Sequence, residues 1–306
     1  MSLGRLVVVA GPTGTGKSEL GLALAEQLDG EVIGADSMQL YRGMDIGTAK
    51  LRAAERRNVP HHLLDVLDVT ETASVAAYQR DARAAVEDVL SRGRTPLLVG
   101  GSGLYVQAVV DEIDFPGTDP AIRARLEAEL ADAGVAMLRD RLARLDPAAA
   151  LAIEPNDGRR IVRALEVVEL TGRPFTASLP RPGPPRYDAV LLCLDRDPAE
   201  LDQALAERVD RMMAAGFLGE VVALERIGLR QGLTASRALG YRQLLEVLDG
   251  ATGLERAVAD TVTATRRFVR RQRSWFGRDP RAHRLEAARP DLLGRAVDLA
   301  RHVTTQ

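Results

Sequence analysis

Gly11-Pro12-Thr13-Gly14-Thr15-Gly16-Lys17-Ser18 follows the apolar run Leu6–Ala10 and opens a helical pattern from Glu19 to Leu28. Strand, glycine-rich turn and helix in that order make a phosphate cradle, the P-loop. Glycines let successive backbone N–H groups point at phosphate oxygens, and the helix N-terminus adds its dipole. Lys17 brings a neutralising charge, and Ser18 a hydroxyl able to ligate Mg²⁺. Gly11, Pro12, Thr13, Gly14, Thr15, Gly16, Lys17 and Ser18 are therefore the expected seat of a phosphorylated ligand.

Outward from that loop, short apolar runs alternate with helical patterns. Leu6–Ala10, Glu31–Ala35, His62–Leu67, Pro96–Val99 and Tyr187–Leu194 read as strands, with Arg284–Glu286 as a short closing strand. Such alternation predicts an α/β fold with a P-loop-type parallel sheet. Ligands in these sheets sit beyond the carboxyl ends of the strands. The P-loop, Asp36-Ser37-Met38-Gln39 and Gly100-Gly101-Ser102-Gly103-Leu104-Tyr105 occupy those places.

From about Asp119 to Pro185 the character changes to Ala- and Arg-rich amphipathic helices. Pro116-Gly117 precedes them and the cluster Pro180-Arg181-Pro182-Gly183-Pro184-Pro185 follows, after which a strand resumes. An insertion explains this better than a second consecutive domain. The expected division is 1–118 for the first part of the core, 119–185 for the inserted helical domain, and 186–306 for the rest of the core with C-terminal helices.

Composition narrows the function. With 41 basic and 43 acidic residues in 306, any nucleic-acid surface must be a local patch. Only Lys17 and Lys50 are lysines; the other 39 basic residues are arginines, so those two positions resist exchange. A P-loop lysine acts as a compact point charge where a planar guanidinium would not fit. Lys50 calls for an explanation of its own. The one cysteine, Cys193, lies in an apolar run and reads as a buried, inert thiol in a reducing compartment. No leader or membrane-spanning stretch is apparent, so a soluble cytoplasmic monomer is expected.

Asp36 ends the second strand next to the P-loop, within reach of whatever the phosphate ester carries. It reads equally as a general base and as a turn cap. The strand at Leu97–Val99 ends in Gly100-Gly101 instead of an aspartate, and no Asn-Lys-x-Asp motif exists, which disfavours motor ATPases and GTPases. A P-loop transferase or kinase using the phosphate ligand as substrate remains. Near the C-terminus, Thr261–Arg278 holds Arg266, Arg267, Arg270, Arg271, Arg273 and Arg278 with no acid. Helical spacing puts Arg266, Arg270 and Arg273 on one face with Trp275 close by, a pattern suited to phosphate backbones.

Taken together, the motifs closely resemble the tRNA dimethylallyltransferases, also called tRNA isopentenyltransferases. The resemblance rests on Gly11–Ser18, Asp36–Tyr41, Asp45–Lys50, Pro60-His61-His62-Leu63, Gly100–Tyr105, Asn156-Asp157 with Arg159–Glu166, Gly240–Gln243, and Arg270-Arg271-Gln272 with Trp275. It implies transfer of a dimethylallyl group from its diphosphate to N6 of the adenosine just 3′ of the anticodon in tRNA. Thr13, Lys17 and Ser18, with Mg²⁺ as cofactor held by Ser18, would then stabilise the leaving diphosphate. Arg208 looks like a second clamp; taken locally it reads as a surface ion pair with Glu207 or Asp210. Asp36 looks like the base, and the adenine must leave its stack to reach it. Asp36, Ser37, Met38, Gln39 and Ser102 would hold the flipped base. Arg123, Arg159, Arg160, Ile161, Val162, Arg163, Arg237, Gly240, Tyr241, Arg242, Arg270, Arg271, Gln272 and Trp275 are assigned to the anticodon stem-loop. Ser102 stands where the family often has Thr, and Glu154 where it often has His. A nucleoside or metabolite kinase is the alternative, with Asp36 orienting the acceptor hydroxyl, and a non-catalytic RNA-binding ATPase is third.

Overall fold

The computed structural model describes residues 5–113, 115–178 and 185–302, which form two compact units. One joins Met1–Val110 to Pro184–Gln306; the other is Asp111–Gly183. The latter runs from 111 to 183 where the sequence suggested 119–185, and most of the Pro-rich cluster at 180–185 lies outside the described residues.

The larger unit is built on β1 (Val7–Ala10), α1 (Lys17–Gln27), β2 (Gly30–Gly34), β3 (His61–His62), α2 (Val75–Ser91), β4 (Thr95–Gly100) and α3 (Gly103–Val110). The helical unit holds α4 (Pro120–Leu145), α5 (Pro147–Ala152) and α6 (Gly158–Thr171). The larger unit then resumes with β5 (Val190–Asp195), α7 (Pro198–Ala214), α8 (Phe217–Arg226), α9 (Tyr241–Leu248), α10 (Leu254–Phe276), β6 (Ala282–Glu286) and α11 (Leu292–His302).

Six parallel strands lie in the order β3-β2-β4-β1-β5-β6. β1 is central and fully buried, as its continuous apolar run requires of a strand covered on both faces. Val7, Val9, Val32, Leu97 and Leu192 pack with α1 and α11 through Leu20, Leu24, Ala296 and Ala300. Val8, Ile33, Leu98 and Leu191 pack with α2 and α3 through Tyr78, Ala82, Val86, Val106 and Val109. A further core joins Tyr41 and Met44 to Phe217, Val221, Tyr241 and Leu244 of α8 and α9.

The strand expected at His62–Leu67 is limited to His61–His62. Leu63 (φ 60°) and Asp65 (φ 57°) adopt left-handed backbone, which ends the extended run, and Leu67 pairs only with Tyr41. β5 begins at Val190, not Tyr187, because Tyr187 and Asp188 have positive φ.

In the helical unit, Asp119 caps α4 and Pro120 occupies its first turn. Gly134 (φ 78°, ψ 169°) folds α4 back on itself, so Leu126, Leu138 and Leu142 meet Ile161 and Leu165 of α6 in one core. Among the described residues no helix is long and apolar enough to cross a membrane.

Candidate active site

Strand register assembles the site. Ala10 lies opposite both Gly100 and Cys193, and Gly34 lies opposite Val99. The P-loop, Asp36, the Gly100-Gly101 turn and Arg196 therefore emerge along one edge of the sheet. They line a cavity of about 510 Å³ together with Gln39, Thr48, His61, Arg208 and Arg211.

Gly16 is left-handed (φ 85°), turning the loop so that α1 begins at Lys17. Thr15 Oγ1 donates to the Pro12 carbonyl at 2.9 Å, and Lys17 Nζ donates to the same oxygen at 2.5 Å. These two bonds close the loop on itself. Burial pushes the Lys17 ammonium down to about 8, partly offset by the Asp36 carboxylate and reinforced by Arg208. Such a cation gains most from an arriving polyanion. The Ser18 hydroxyl is exposed and has no partner among the described residues.

Asp36 is half-buried, and its Oδ1 accepts the Met38 N–H at 2.9 Å. The turn-cap reading is therefore real at one oxygen. The other lacks a hydrogen-bond partner among the described residues, and the side chain lines the cavity. Arg208 forms no carboxylate pair among the described residues: Glu207 engages Gln203 and Arg211 instead, and Arg208 Nη2 donates to the Thr48 carbonyl at 3.4 Å. Burial lowers the Arg208 guanidinium from its ordinary value, and Asp36 counters that. The expected surface ion pair is replaced by a cation facing the site. Gln39 Nε2 also donates to Thr48 O, at 3.2 Å.

Where a Mg²⁺-holding acid would follow β4, the turn is glycine for steric reasons. A Cβ on Gly100 would lie 2.1 Å from Ala35 O, one on Gly101 2.5 Å from Gln272 Nε2, and one on Gly103 2.2 Å from the Trp275 ring. Ser102 Oγ accepts the Ser37 N–H at 3.3 Å, joining the turn to the segment after β2. Burial pushes the Cys193 thiol up to about 11, in keeping with an inert group.

Residues 39–279 match the family described as IPP transferase. The chain belongs to this family. A tRNA dimethylallyltransferase of Saccharopolyspora erythraea is 66% identical over 290 residues, covering 95% of this chain and 94% of its own. One of Nocardia farcinica is 60% identical over 293 residues, covering 96% and 94%. Among solved structures, the full-length tRNA isopentenylpyrophosphate transferase of Bacillus halodurans aligns with TM-score 0.71 at 38% identity, over 97% of this chain and 94% of that one. A eukaryotic dimethylallyltransferase acting on tRNA aligns with TM-score 0.79 at 29% identity, over 93% and 74%.

The residues linked to RNA by family resemblance separate into three groups. Among the described residues Arg159, Arg160, Arg237, Arg270 and Arg271 are exposed without a carboxylate partner, with Arg271 over Phe268 at 5.8 Å; Arg242 is exposed beside Glu246 at 3.8 Å, and Trp275 is 40% exposed. Arg123 and Arg163 instead grip the fully buried Glu166, and Arg163 also donates to the Gly117 and Pro116 carbonyls. Burial opposes ionisation of Glu166, but the two guanidiniums outweigh it and hold the carboxyl below its usual range. Ile161, Val162, Tyr241 and Gln272 are buried, so their side chains serve packing and positioning, and Gly240 is buried with them.

The expected face of Arg266, Arg270 and Arg273 is divided. Arg273 pairs with Asp195 at 2.8 Å and Arg266 approaches Asp202 at 3.6 Å, because the acids absent from Thr261–Arg278 come from β5 and α7. Within that stretch the exposed arginines are Arg267, Arg270, Arg271 and Arg278.

Sequence reasoning passed over Glu220. Its carboxylate accepts the backbone N–H groups of Asp45 (3.1 Å), Ile46 (2.7 Å) and Gly47 (3.2 Å), and the Tyr241 hydroxyl at 2.6 Å. It fixes the loop that carries Thr48. One of two acids in an amphipathic helix, Glu220 gives no signal of such a role.

Proposed function

We propose that the chain transfers a dimethylallyl group from dimethylallyl diphosphate to N6 of the adenosine 3′-adjacent to the tRNA anticodon, releasing diphosphate. One observation carries this reading. A P-loop with a half-buried lysine, a carboxylate with an open oxygen and a half-buried arginine with no carboxylate partner among the described residues face one cavity, and the strand that would bring a nucleotidase acid ends in glycine.

The diphosphate lies on the N–H groups of the P-loop, neutralised by Lys17 and, from the opposite wall, by Arg208. As the allylic C1–O bond breaks, negative charge grows on the leaving oxygen, which these cations and the Thr13 hydroxyl stabilise. The N6 lone pair forms the new C–N bond, and Asp36 takes the N6 proton. Ser37, Met38, Gln39 and Ser102 surround the carboxylate and hold the extruded adenine. The Ser18 hydroxyl at the start of α1 suits Mg²⁺, which keeps most of its waters and needs few protein oxygens beside those of the diphosphate; it would supply further charge neutralisation there. The exposed arginines Arg159 and Arg160, and Arg237, Arg242, Arg270 and Arg271, supply phosphate contacts to the RNA, with Trp275 as a stacking face.

The test incubates the protein with Mg²⁺, an unmodified tRNA transcript and radiolabelled dimethylallyl diphosphate, with labelled ATP in parallel. Label should enter the RNA only from the prenyl donor. Label passing from ATP to a small acceptor would establish the kinase instead.

A further inference from the structure

Lys50 is the lysine that the P-loop leaves unexplained. Its side chain is 2% exposed, and the ammonium donates to Tyr41 O (2.7 Å), Asp45 Oδ1 (2.8 Å) and Asp65 Oδ1 (2.5 Å). All three protons of the ammonium are spent. A planar guanidinium cannot direct its donors to three acceptors gathered around one nitrogen, so arginine does not substitute here.

The two carboxylates belong to different loops, and both loops wall the cavity. The segment after Asp45 contributes Thr48, Ala49 and Leu51; the segment at Asp65 contributes Leu64. Between them the floor is Val32 and Gly34 of β2 and Val99 of β4. The pairing of Gly34 with Val99 and the two-residue step to Val32 put all three on the face that α1 covers. A Cβ on Gly34 would sit 3.3 Å from Leu64 Cδ2, so floor and wall are nearly in contact there. This apolar part of the cavity is continuous with the P-loop residues Gly14 and Lys17 and with Asp36, two residues beyond Gly34.

We infer that Val32, Leu51, Leu64 and Val99 seat the alkyl group of the prenyl donor, and that Lys50, by pinning both walls, fixes the width of that seat and excludes longer allylic chains. The inference rests on the donor reading above. Leu64 and Val99 touch the substrate and set specificity; Lys50 acts through the loops as a positioning residue. Additional methylenes meet the Leu64 wall, and hydrophobic pockets discriminate by such steric terms at tenfold or more.

The experiment measures kcat/KM of the full chain with tRNA for dimethylallyl and geranyl diphosphate, and the affinity for inorganic diphosphate by calorimetry, in wild type, Leu64→Ala and Lys50→Arg. Leu64→Ala should lower the dimethylallyl-to-geranyl ratio about tenfold or more, with inorganic diphosphate affinity within about twofold because that ligand has no alkyl group. Lys50→Arg should lower the ratio in the same direction. An unmoved ratio in Leu64→Ala overturns the seat, whether or not Lys50→Arg folds. A folded Lys50→Arg with the wild-type ratio overturns the role of the ammonium. Wild type that transfers neither group to tRNA overturns the donor reading itself, a result distinct from active enzyme with unchanged selectivity.

Discussion

Gln272 accepts the backbone N–H of Thr13 through Oε1 at 3.0 Å. Its Nε2 donates to the Gly101 carbonyl at 2.8 Å, so one buried amide on α10 spaces the P-loop from the turn after β4. Both ends are required, since a carboxylate can accept but not donate.

Gln272→Glu should therefore be worse than its small change of shape suggests. It places a carboxylate against the Gly101 carbonyl and should cost about 1–3 kcal/mol of stability. Chemical denaturation checks the stability, and steady-state rates should show kcat falling more than the KM for tRNA. Unchanged stability and kcat would show that the P-loop holds its shape without this bridge.

Asp36→Asn should fold normally, because the amide oxygen can still accept the Met38 N–H. Turnover should drop by roughly two to four orders of magnitude, the usual worth of a general base. Single-turnover transfer at saturating donor and tRNA measures it. Full turnover with weakened binding would make Asp36 a positioning residue only.

Lys17 makes donor binding depend on pH in a defined direction. Burial holds its ammonium down to about 8, and a bound diphosphate should restore the charged form. Binding should take up a proton between about pH 8 and 10.5, and affinity should decline as pH rises through that window. Calorimetry in buffers of different ionisation enthalpy counts the proton. For the fold the sign reverses: the unfolded chain binds more protons between those values, so this group favours the folded state increasingly as pH rises. Lys17→Ala should abolish the proton uptake, and both Lys17→Ala and Ser18→Ala should weaken donor capture.

The division of the α10 arginines predicts opposite phenotypes from similar substitutions. Arg270→Ala with Arg271→Ala should weaken tRNA binding and flatten the salt slope by about one unit, as the loss of one or two phosphate contacts requires. Melting temperature should hold. Arg266→Ala with Arg273→Ala should lower the melting temperature by breaking the contacts to Asp202 and Asp195, with the salt slope close to wild type. Filter binding at a series of salt concentrations, beside thermal melts, separates the two.

The sheet was legible because β1 and β5 are nearly continuous apolar runs, and β2 and β4 carry the apolar segments Val32-Ile33 and Leu97–Val99, that a buried parallel strand demands. The P-loop was legible because its residues are contiguous. β3 was overextended, since nothing local to Leu63 or Asp65 announces a positive φ that Lys50 helps to hold from a distance. The pairing of Arg266 and Arg273 escapes the sequence for a related reason: a helical stretch without acids can still be neutralised by neighbours such as Asp195, 78 positions away. Glu220 and Gln272 brace backbone groups of remote loops, a kind of contact whose partners no local periodicity reveals.

β1 completes its pairing with β5, and the Thr13 N–H meets its side-chain partner in Gln272 of α10. A chain emerging from the ribosome therefore carries the phosphate-cradle sequence, with its own Thr15 and Lys17 bonds to Pro12, well before the brace from α10 can follow. The helical unit, whose core contacts are short in sequence, is free to fold first. Donor capture is thus a property acquired late in synthesis, and a nascent chain stalled before α10 holds the phosphate-binding sequence without a set cradle.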